Sequence, residues 1–180
     1  MSRILVTGGV RSGKSRYAEG LLDAGSPAIY LTPGYPADPI ADREWAARVA
    51  AHQSRRPAGW RTQETLDLAE AIEAADIPVL VDCLGTWLTR LFDGWEAWDA
   101  PTEVWQTRLE AEIAKLATAV ANAKVDVVLV TNEVGWGLVS EHRSGRIFAD
   151  QLGRVNQAVA AVCEDVVLLV AGRPLHLPPG

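Results

Sequence analysis

The chain has 180 residues, of which 48% are hydrophobic and 22% are charged, and its formal net charge is −6. This composition predicts one folded domain over residues 1–180, because it is too apolar for a disordered chain and too short for two ordinary domains. No apolar run approaches the roughly 18 residues that a membrane span needs, and the acidic balance argues against a nucleic-acid binder. The first apolar run starts at Arg3, which leaves no room for a signal peptide, so we expect a cytoplasmic protein.

Short apolar runs alternate with helix-length amphipathic stretches along the chain. The runs typical of buried strands are Arg3–Thr7, Ala28–Thr32, Val79–Asp82, Asp126–Thr131 and Val166–Val170. Helical composition or apolar residues at helical spacing predict helices over about Gly13–Ala24, Asp38–Ser54, Leu84–Phe92, Leu109–Val120 and Leu152–Val162. Residues Asp93–Pro101 are predicted to form an exposed connector. Strands that are apolar on both faces and separated by helices predict an α/β fold, with a mainly parallel sheet covered by helices on both faces.

A glycine-rich turn follows the first predicted strand. Residues Gly8–Ser15 read GGVRSGKS and match the pattern G-x-x-x-x-G-K-[ST] of a phosphate-binding P-loop. The chemistry needs this spacing, because glycines let successive backbone N–H groups curl around phosphate oxygens and the next helix offers its positive N-terminus. Lys14 would reach the β- and γ-phosphates of a nucleoside triphosphate, and the Ser15 hydroxyl would bind Mg²⁺. The motif therefore favours nucleotide binding over a fortuitous glycine turn.

A P-loop site also needs a carboxylate near its metal ion. Asp82 ends the third predicted strand and fits this role, in which it would hold Mg²⁺ directly or through water. Glu133, which follows the fourth predicted strand, is a competing candidate. A helix N-cap is the alternative interpretation of Asp82, since a predicted helix follows it.

A basic segment stands out in this acidic chain. Residues 48–62 read RVAAHQSRRPAGWRT and contain four arginines and His52. A solvated helix face followed by a loop is the simpler interpretation, and residue types alone favour it. The functional alternative is an anion-binding cradle in which a neutral His52 attacks phosphorus and carries the phosphoryl group covalently.

These segments together resemble the bifunctional adenosylcobinamide kinase/adenosylcobinamide-phosphate guanylyltransferase family of cobalamin synthesis. The resemblance covers nearly the whole chain and rests on the blocks ILVTGGVRSGKSRYAE, RVAAHQSRRPAGWRT, VLVDCLGTWLT, VLVTNEVGWGLV and RIFADQLGRVNQAVA, in that order. Ordinary P-loop kinases lack both the H-x-x-R-R-P and the T-N-E-V-G segments. The chain departs from the family pattern at Thr32-Pro33-Gly34, where Ala-Thr-Ala or Ala-Thr-Ser is common, and at Asp82, where glutamate is frequent.

The resemblance implies a RecA-like P-loop NTPase fold, a homotrimer and two reactions. Adenosylcobinamide would be phosphorylated on its aminopropanol hydroxyl with ATP or GTP. GMP would then pass from GTP to adenosylcobinamide phosphate through a covalent GMP–histidine intermediate, which gives adenosylcobinamide-GDP and pyrophosphate. The matching histidine is His52, so the resemblance reverses the simpler interpretation of that residue. Nucleotide contacts are implied for Gly8, Gly9, Val10, Arg11, Ser12, Gly13, Lys14, Ser15, Pro33, Gly34, Tyr35, Gln53, Ser54, Arg55, Arg56, Glu64 and Asp82.

Two other functions remain open at this point. One is a single-activity P-loop kinase for a small alcohol, in which His52 merely binds a substrate phosphate. The other is a non-catalytic RecA-type nucleotide-binding module that acts on a nucleic acid or protein partner. For the corrinoid substrate itself, the loop Gly135–Ser140 with Trp136 is the predicted contact.

Overall fold

The computed structural model describes residues 1–38 and 40–178; residues 39, 179 and 180, which the predicted domain also includes, lie outside the described part. Within it, seven strands form one sheet. They are β1 (Arg3–Gly8), β2 (Ile29–Thr32), β3 (Arg61–Glu64), β4 (Val79–Asp82), β5 (Val127–Val130), β6 (Asp165–Val170) and β7 (Arg173–Leu177). Their order across the sheet is β3-β2-β4-β5-β1-β6-β7. All neighbouring pairs are parallel except β6 and β7, which form an antiparallel hairpin. The predicted mainly parallel sheet is confirmed.

The helices in the described part cover the two faces of the sheet unequally. They are α1 (Lys14–Glu19), α2 (Arg43–Gln53), α3 (Leu68–Glu73), α4 (Leu84–Gly94), α5 (Thr102–Ala121) and α6 (Arg143–Ala160). One face of the sheet, which includes Leu5 and Val81, packs against buried side chains of α3, α4, α5 and α6. The other face, which includes Val6 and Tyr30, packs against α1 and Trp60. Helix α2 buries none of its side chains.

Five predicted strands are present, each within two residues of its predicted bounds. Two strands that the sequence did not predict lie at the edges of the sheet. The edge strand β3 consists of Arg-Thr-Gln-Glu and has no apolar residue, yet its backbone pairs with β2. The edge strand β7 is exposed along its whole length. Edge strands need only one partner, so apolar patterning does not reveal them.

Helix bounds differ more from the predictions. The helix predicted over Gly13–Ala24 ends at Glu19, because Gly20 caps it and donates its N–H to the Arg16 carbonyl. The helix predicted from Asp38 begins at Arg43, because the Asp42 side chain accepts a hydrogen bond from the Trp45 N–H and so caps the helix there. Pro39, inside the predicted range, lies outside the described residues. The short helix α3 was not predicted.

The connector Asp93–Pro101 was predicted to be exposed, but part of it is buried. Ala97 is buried, and the ring of Trp98 lies 4.8 Å from that of Phe92 between their centroids. The Trp98 indole N–H also donates to Asp93 at 2.5 Å. The connector is therefore packed onto the hydrophobic core. No helix in the described residues combines the length and the apolar character needed to cross a bilayer.

Candidate active site

The glycine-rich turn joins β1 to α1 at the carboxyl edge of the sheet, where parallel α/β folds bind their ligands. Gly8 has φ +153° and Gly13 has φ +94°, which are backbone conformations that residues other than glycine rarely adopt. A Cβ atom at Gly8 would also lie only 2.6 Å from the Leu169 carbonyl oxygen of β6. The motif glycines therefore permit the turn to form against its neighbouring strand.

Lys14 lies at the start of α1 and is 9% exposed. Its ammonium donates to the Gly9 carbonyl at 3.1 Å, inside the turn. Burial lowers the pKa of Lys14, and the nearby Cys83 and Asp82 partly offset that shift. The side chain is thus held where an anion in the turn would contact it.

Asp82 is the centre of a polar cluster at the end of β4. Its Oδ2 accepts a hydrogen bond from the Tyr30 hydroxyl at 2.7 Å and lies 3.5 Å from His52 Nδ1. Burial alone would raise the pKa of Asp82, but hydrogen bonds from His52, Tyr30 and Ser15 outweigh it and hold the pKa below its usual value. The carboxylate is therefore ionised near neutral pH. The N-cap of α4 is Cys83, so Asp82 does not cap that helix.

The basic segment brings His52 to the same place. His52 lies in the last turn of α2, and Nη2 of Arg55 is 3.4 Å from its Nδ1. Arg55 also pairs with Glu19 of α1 at 3.4 Å. The guanidinium of Arg56 lies 3.7 Å from the centroid of the Tyr30 ring. The structure therefore brings the histidine and two arginines beside the cluster around Asp82.

The turn Pro33–Tyr35 after β2 is held from two sides. Arg90 of α4 donates to the Gly34 carbonyl at 3.0 Å, and the Trp45 indole N–H of α2 donates to the Tyr35 carbonyl at 2.8 Å. A Cβ atom at Gly34 would lie 2.8 Å from the Trp45 ring, so the indole packs directly on the glycine. The Tyr35 hydroxyl donates to Asp93 at 2.7 Å.

A cleft of about 540 Å³ joins these elements; we call it the P-loop cleft. The predicted site residues that line it are Val10, Arg11, Ser12, Gly13, Lys14, Ser15, Gly34, Tyr35, His52, Gln53, Arg55, Arg56, Glu64 and Asp82. Four predicted residues do not line it, namely Gly8, Gly9, Pro33 and Ser54, and neither does the competing carboxylate Glu133.

Two buried polar atoms of the cleft have no hydrogen-bond partner among the described residues: Ser12 Oγ and Arg56 Nε. Such atoms are costly to bury unless a ligand satisfies them. One hydroxyl and one guanidinium N–H in a cleft with Lys14 fit an anionic ligand with several acceptor oxygens, such as a polyphosphate.

Arg48, one of the four arginines of the basic segment, lines the cleft as well. Several other cleft residues were not predicted from the sequence: Tyr30, Trp45, Thr62, Thr86 and Asn132. Tyr30 offered one signal, since it is a polar-tipped side chain within a predicted buried strand. Thr62, Thr86 and Asn132 lie in segments that carry the family resemblance, but the sequence assigns them no individual role. Their approach to the cleft, like that of Trp45, depends on how the elements pack.

A family model described as cobinamide kinase / cobinamide phosphate guanyltransferase matches residues 4–177. The bifunctional adenosylcobalamin biosynthesis protein CobU of Escherichia coli strain K12 is 41% identical over 179 residues, which cover 94% of this chain and 96% of that protein. The bifunctional adenosylcobalamin biosynthesis protein CobP of Pseudomonas aeruginosa is 38% identical and covers 97% of this chain and 96% of its own length.

Among solved structures, an ATPase from the type III secretion system of pathogenic bacteria superposes with a TM-score of 0.52 at 11% identity. The match covers 93% of this chain and half of that one. At this identity the likeness concerns the fold, and it agrees with the predicted P-loop α/β architecture.

Proposed function

Because this chain belongs to the cobinamide kinase / cobinamide phosphate guanyltransferase family, we propose that it catalyses both reactions of that name. It phosphorylates adenosylcobinamide with ATP or GTP, and it then transfers GMP from GTP to adenosylcobinamide phosphate. One observation carries the proposal: His52 lies 3.5 Å from Asp82, in the same cleft as the P-loop. The nucleophile of the second reaction, His52, thus lies in the same nucleotide site as the P-loop, which serves the first reaction.

The residues around Asp82 fit a magnesium ion. Ser15 and Asp82 both line the P-loop cleft, and Ser15 helps to lower the pKa of Asp82, so a hydroxyl and a carboxylate lie near each other beside the P-loop. The described residues contain no cluster of three or more histidine, cysteine or acidic side chains. In nucleotide sites Mg²⁺ uses one or two carboxylates and completes its shell with phosphates and water. When bound, Mg²⁺ would neutralise charge on the phosphate oxygens.

In the kinase reaction, the protein mainly positions the triphosphate and stabilises its charge. Lys14 and the N–H groups of the turn bind the phosphate oxygens. The aminopropanol oxygen forms a bond to the γ-phosphorus, the bond from that phosphorus to the bridging oxygen breaks, and the hydroxyl proton is released. The nucleoside diphosphate is the leaving group.

In the guanylyl reaction, Asp82 orients the imidazole. With Nδ1 facing the carboxylate, the other ring nitrogen, Nε2, is left to react. Nε2 forms a bond to the α-phosphorus of GTP and pyrophosphate leaves. A phosphate oxygen of adenosylcobinamide phosphate then bonds to the same phosphorus, and the nitrogen–phosphorus bond breaks. Arg55 and Arg56, next to His52 and Tyr30, compensate the negative charge of the leaving group.

GTP labelled at the α- or the γ-phosphate tests the proposal directly. We expect the α-label to become bound to the protein in a linkage that is labile in acid and stable in base, as a phosphoramidate is. His52→Ala should abolish this labelling and the guanylyl transfer but retain phosphorylation. His176→Ala is the matched control, because that histidine pairs with Asp165 at 2.7 Å on the β6–β7 hairpin, away from the cleft. Loss of both activities in a folded His52→Ala variant would refute this division of labour.

The same experiment separates the alternatives. A single-activity kinase would transfer the γ-phosphate to cobinamide and leave the protein without α-label. A non-catalytic nucleotide-binding module would do neither.

The remaining parts of the proposal concern assembly and partners. We propose that the chain acts as one domain, forms a homotrimer and binds no nucleic acid. Its net charge of −6 opposes phosphate backbones, and the exposed Leu175 and Leu177 of β7 offer apolar surface for subunit contact. Light scattering after gel filtration measures the mass of the assembly. We also propose that the protein is cytoplasmic, as predicted from the sequence.

A further inference from the structure

A second, open cavity of about 590 Å³ lies between α4, the connector after it and the start of α6. Its lining combines acidic, hydroxyl and aromatic side chains: Thr89, Asp93, Trp98, Asp99, Ser144 and Phe148. None of them belongs to the P-loop or the basic segment. We call it the α4–α6 cavity.

The α4–α6 cavity adjoins the P-loop cleft along one face of α4. Thr86 lines the cleft, while Thr89 and Asp93 line the cavity, and the spacing of three and four residues places all three on the same helix face. Asp93 joins the two sites directly, because it accepts hydrogen bonds from the cleft residue Tyr35 at 2.7 Å and from the cavity residue Trp98 at 2.5 Å.

A second connection runs past Gly85, at the start of α4. A Cβ atom there would lie 3.7 Å from the Phe148 ring, which lines the cavity, and 3.9 Å from the Asn132 side chain, which lines the cleft. Both side chains therefore come within 4 Å of the same point beside Gly85. A ligand in the cavity would therefore have its nearest edge close to the cleft.

The charged side chains that line the cavity have the opposite sign to the basic side chains of the P-loop cleft. The cleft presents Lys14 and arginines, whereas the cavity presents the carboxylates of Asp93 and Asp99 beside two aromatic rings. The guanidinium of Arg143, the residue before Ser144, is engaged by the carbonyl oxygens of Trp98 and Ala100. Such a site suits a cationic ligand with flat apolar faces and hydrogen-bond donors at its rim.

The loop that leads into α6 carries exposed apolar side chains. Trp136, Leu138 and Val139 are 74%, 101% and 81% exposed, and the loop ends next to the cavity, where Ser140 packs closely on Gly145. Three exposed apolar side chains within four residues are uncommon on a surface that binds nothing.

We propose that the α4–α6 cavity binds the corrinoid ring of the acceptor; this assignment rests on the proposed function. An alkylcobalt(III) corrin carries one net positive charge, because one corrin anion and one alkyl anion leave one charge of cobalt unbalanced. Its peripheral amides donate hydrogen bonds that Asp93 and Asp99 can accept. The loop Gly135–Ser140 covers one face of the macrocycle, and the aminopropanol arm extends past Gly85 toward the P-loop cleft.

A blocked cavity tests the assignment. Ser144 is exposed in the first turn of α6, so Ser144→Trp fills the cavity without disturbing the core. Asp150→Trp is the matched control, because it places the same side chain at an exposed position of the same helix outside the cavity. Binding of adenosylcobinamide is followed by equilibrium dialysis and its visible absorbance. We expect Ser144→Trp to weaken this binding at least about tenfold, with Asp150→Trp unchanged and with α-label transfer from GTP to His52 unchanged in both.

A second variant keeps the test decisive if Ser144→Trp fails to fold. Asp99→Arg reverses the charge of one exposed side chain in the connector and should also weaken corrinoid binding at least about tenfold. If the folded variants bind adenosylcobinamide as the wild type does, the cavity assignment is overturned while the proposed function stands. If the wild type binds no corrinoid and takes up no α-label, the proposed function and the assignment fall together.

Discussion

Replacing Tyr30 by phenylalanine would remove one hydroxyl from the centre of the site and leave its ring in place. The side chain is 1% exposed, and its hydroxyl donates to Asp82 Oδ2 at 2.7 Å. The ring also supports the guanidinium of Arg56 at 3.7 Å, a contact that phenylalanine retains. The substitution therefore isolates the hydrogen bond to an ionised carboxylate whose side chain is only 10% exposed.

The expected cost follows from that geometry. A hydrogen bond to a charged group contributes about 1.5–3 kcal/mol, and the loss falls at the upper end when a buried acceptor loses a donor. For a chain of this size, each kcal/mol lowers Tm by about 2–4 °C, so we expect Tyr30→Phe to lower Tm by about 3–12 °C. Loss of the Tyr30 hydroxyl should raise the pKa of Asp82 toward its usual value, while His52 and Ser15 continue to lower it.

The same hydroxyl makes the stability difference depend on pH. Burial, and then the Asp82 carboxylate, raise the pKa of Tyr30 far above the value near 10 of a free tyrosine. Below about pH 10 both the folded and the unfolded chain keep this proton, and the stabilisation is fully present. Above about pH 10 the unfolded chain releases it first, so the stability advantage of the wild type over Tyr30→Phe should shrink.

Urea unfolding at pH 7 and at several values up to about pH 11 measures both effects. Tyr17→Phe is the control: this half-buried tyrosine packs on the same face of the sheet, and its hydroxyl has no hydrogen bond with the described residues. We expect it to change stability by less than about 0.5 kcal/mol. If the free energy of unfolding of Tyr30→Phe at pH 7 also lies within about 0.5 kcal/mol of the wild-type value, the stabilising role of this hydroxyl is refuted.

Two further substitutions and one control substitution test the turn itself. Gly8→Ala should lower the free energy of unfolding in urea by about 1–3 kcal/mol, because Gly8 has φ +153° and its new Cβ atom would lie 2.6 Å from the Leu169 carbonyl oxygen. Gly9→Ala is the control, since a Cβ atom at Gly9 meets nothing within 4 Å and should leave stability unchanged. Equal losses for the two would contradict this account. Lys14→Met should weaken nucleotide binding about 10–100-fold by calorimetry, since it removes a charge-assisted contact. Without nucleotide it should unfold no earlier than the wild type, because the buried ammonium has only a carbonyl as hydrogen-bond partner among the described residues. A lower Tm together with unchanged affinity would instead indicate a structural role for this lysine.

The sequence predicts most of the buried strands and the P-loop because their signals are local. Buried parallel strands are continuous apolar runs, and the eight residues of the turn form one contiguous motif. Edge strand β3 has no apolar residue and is held by backbone pairing with β2, which no side-chain pattern records. The early end of α1 depends on Gly20, a single residue within a segment that is otherwise compatible with a helix.

The site was predictable only where it coincided with a motif or with the family resemblance. His52 and Asp82 are thirty residues apart in the chain, and only the parallel pairing of β2 with β4 brings Tyr30 to that carboxylate. The second cavity was beyond prediction, because it is formed by α4, the connector and α6 together. The connector was expected to be exposed, and its packing through Trp98 is what forms one wall of that cavity.

The absence of buried side chains from α2 has a consequence for how the two activities could diverge. This helix is attached mainly through contacts of Trp45 and His52, and it contributes nothing to either hydrophobic cluster. Substitutions in α2, including the loss of His52, the proposed carrier of GMP, would therefore change the stability of the fold little. A descendant that kept only the phosphorylating activity would need few compensating changes elsewhere, whereas one that lost the P-loop would disturb the contacts between β1, α1 and β6.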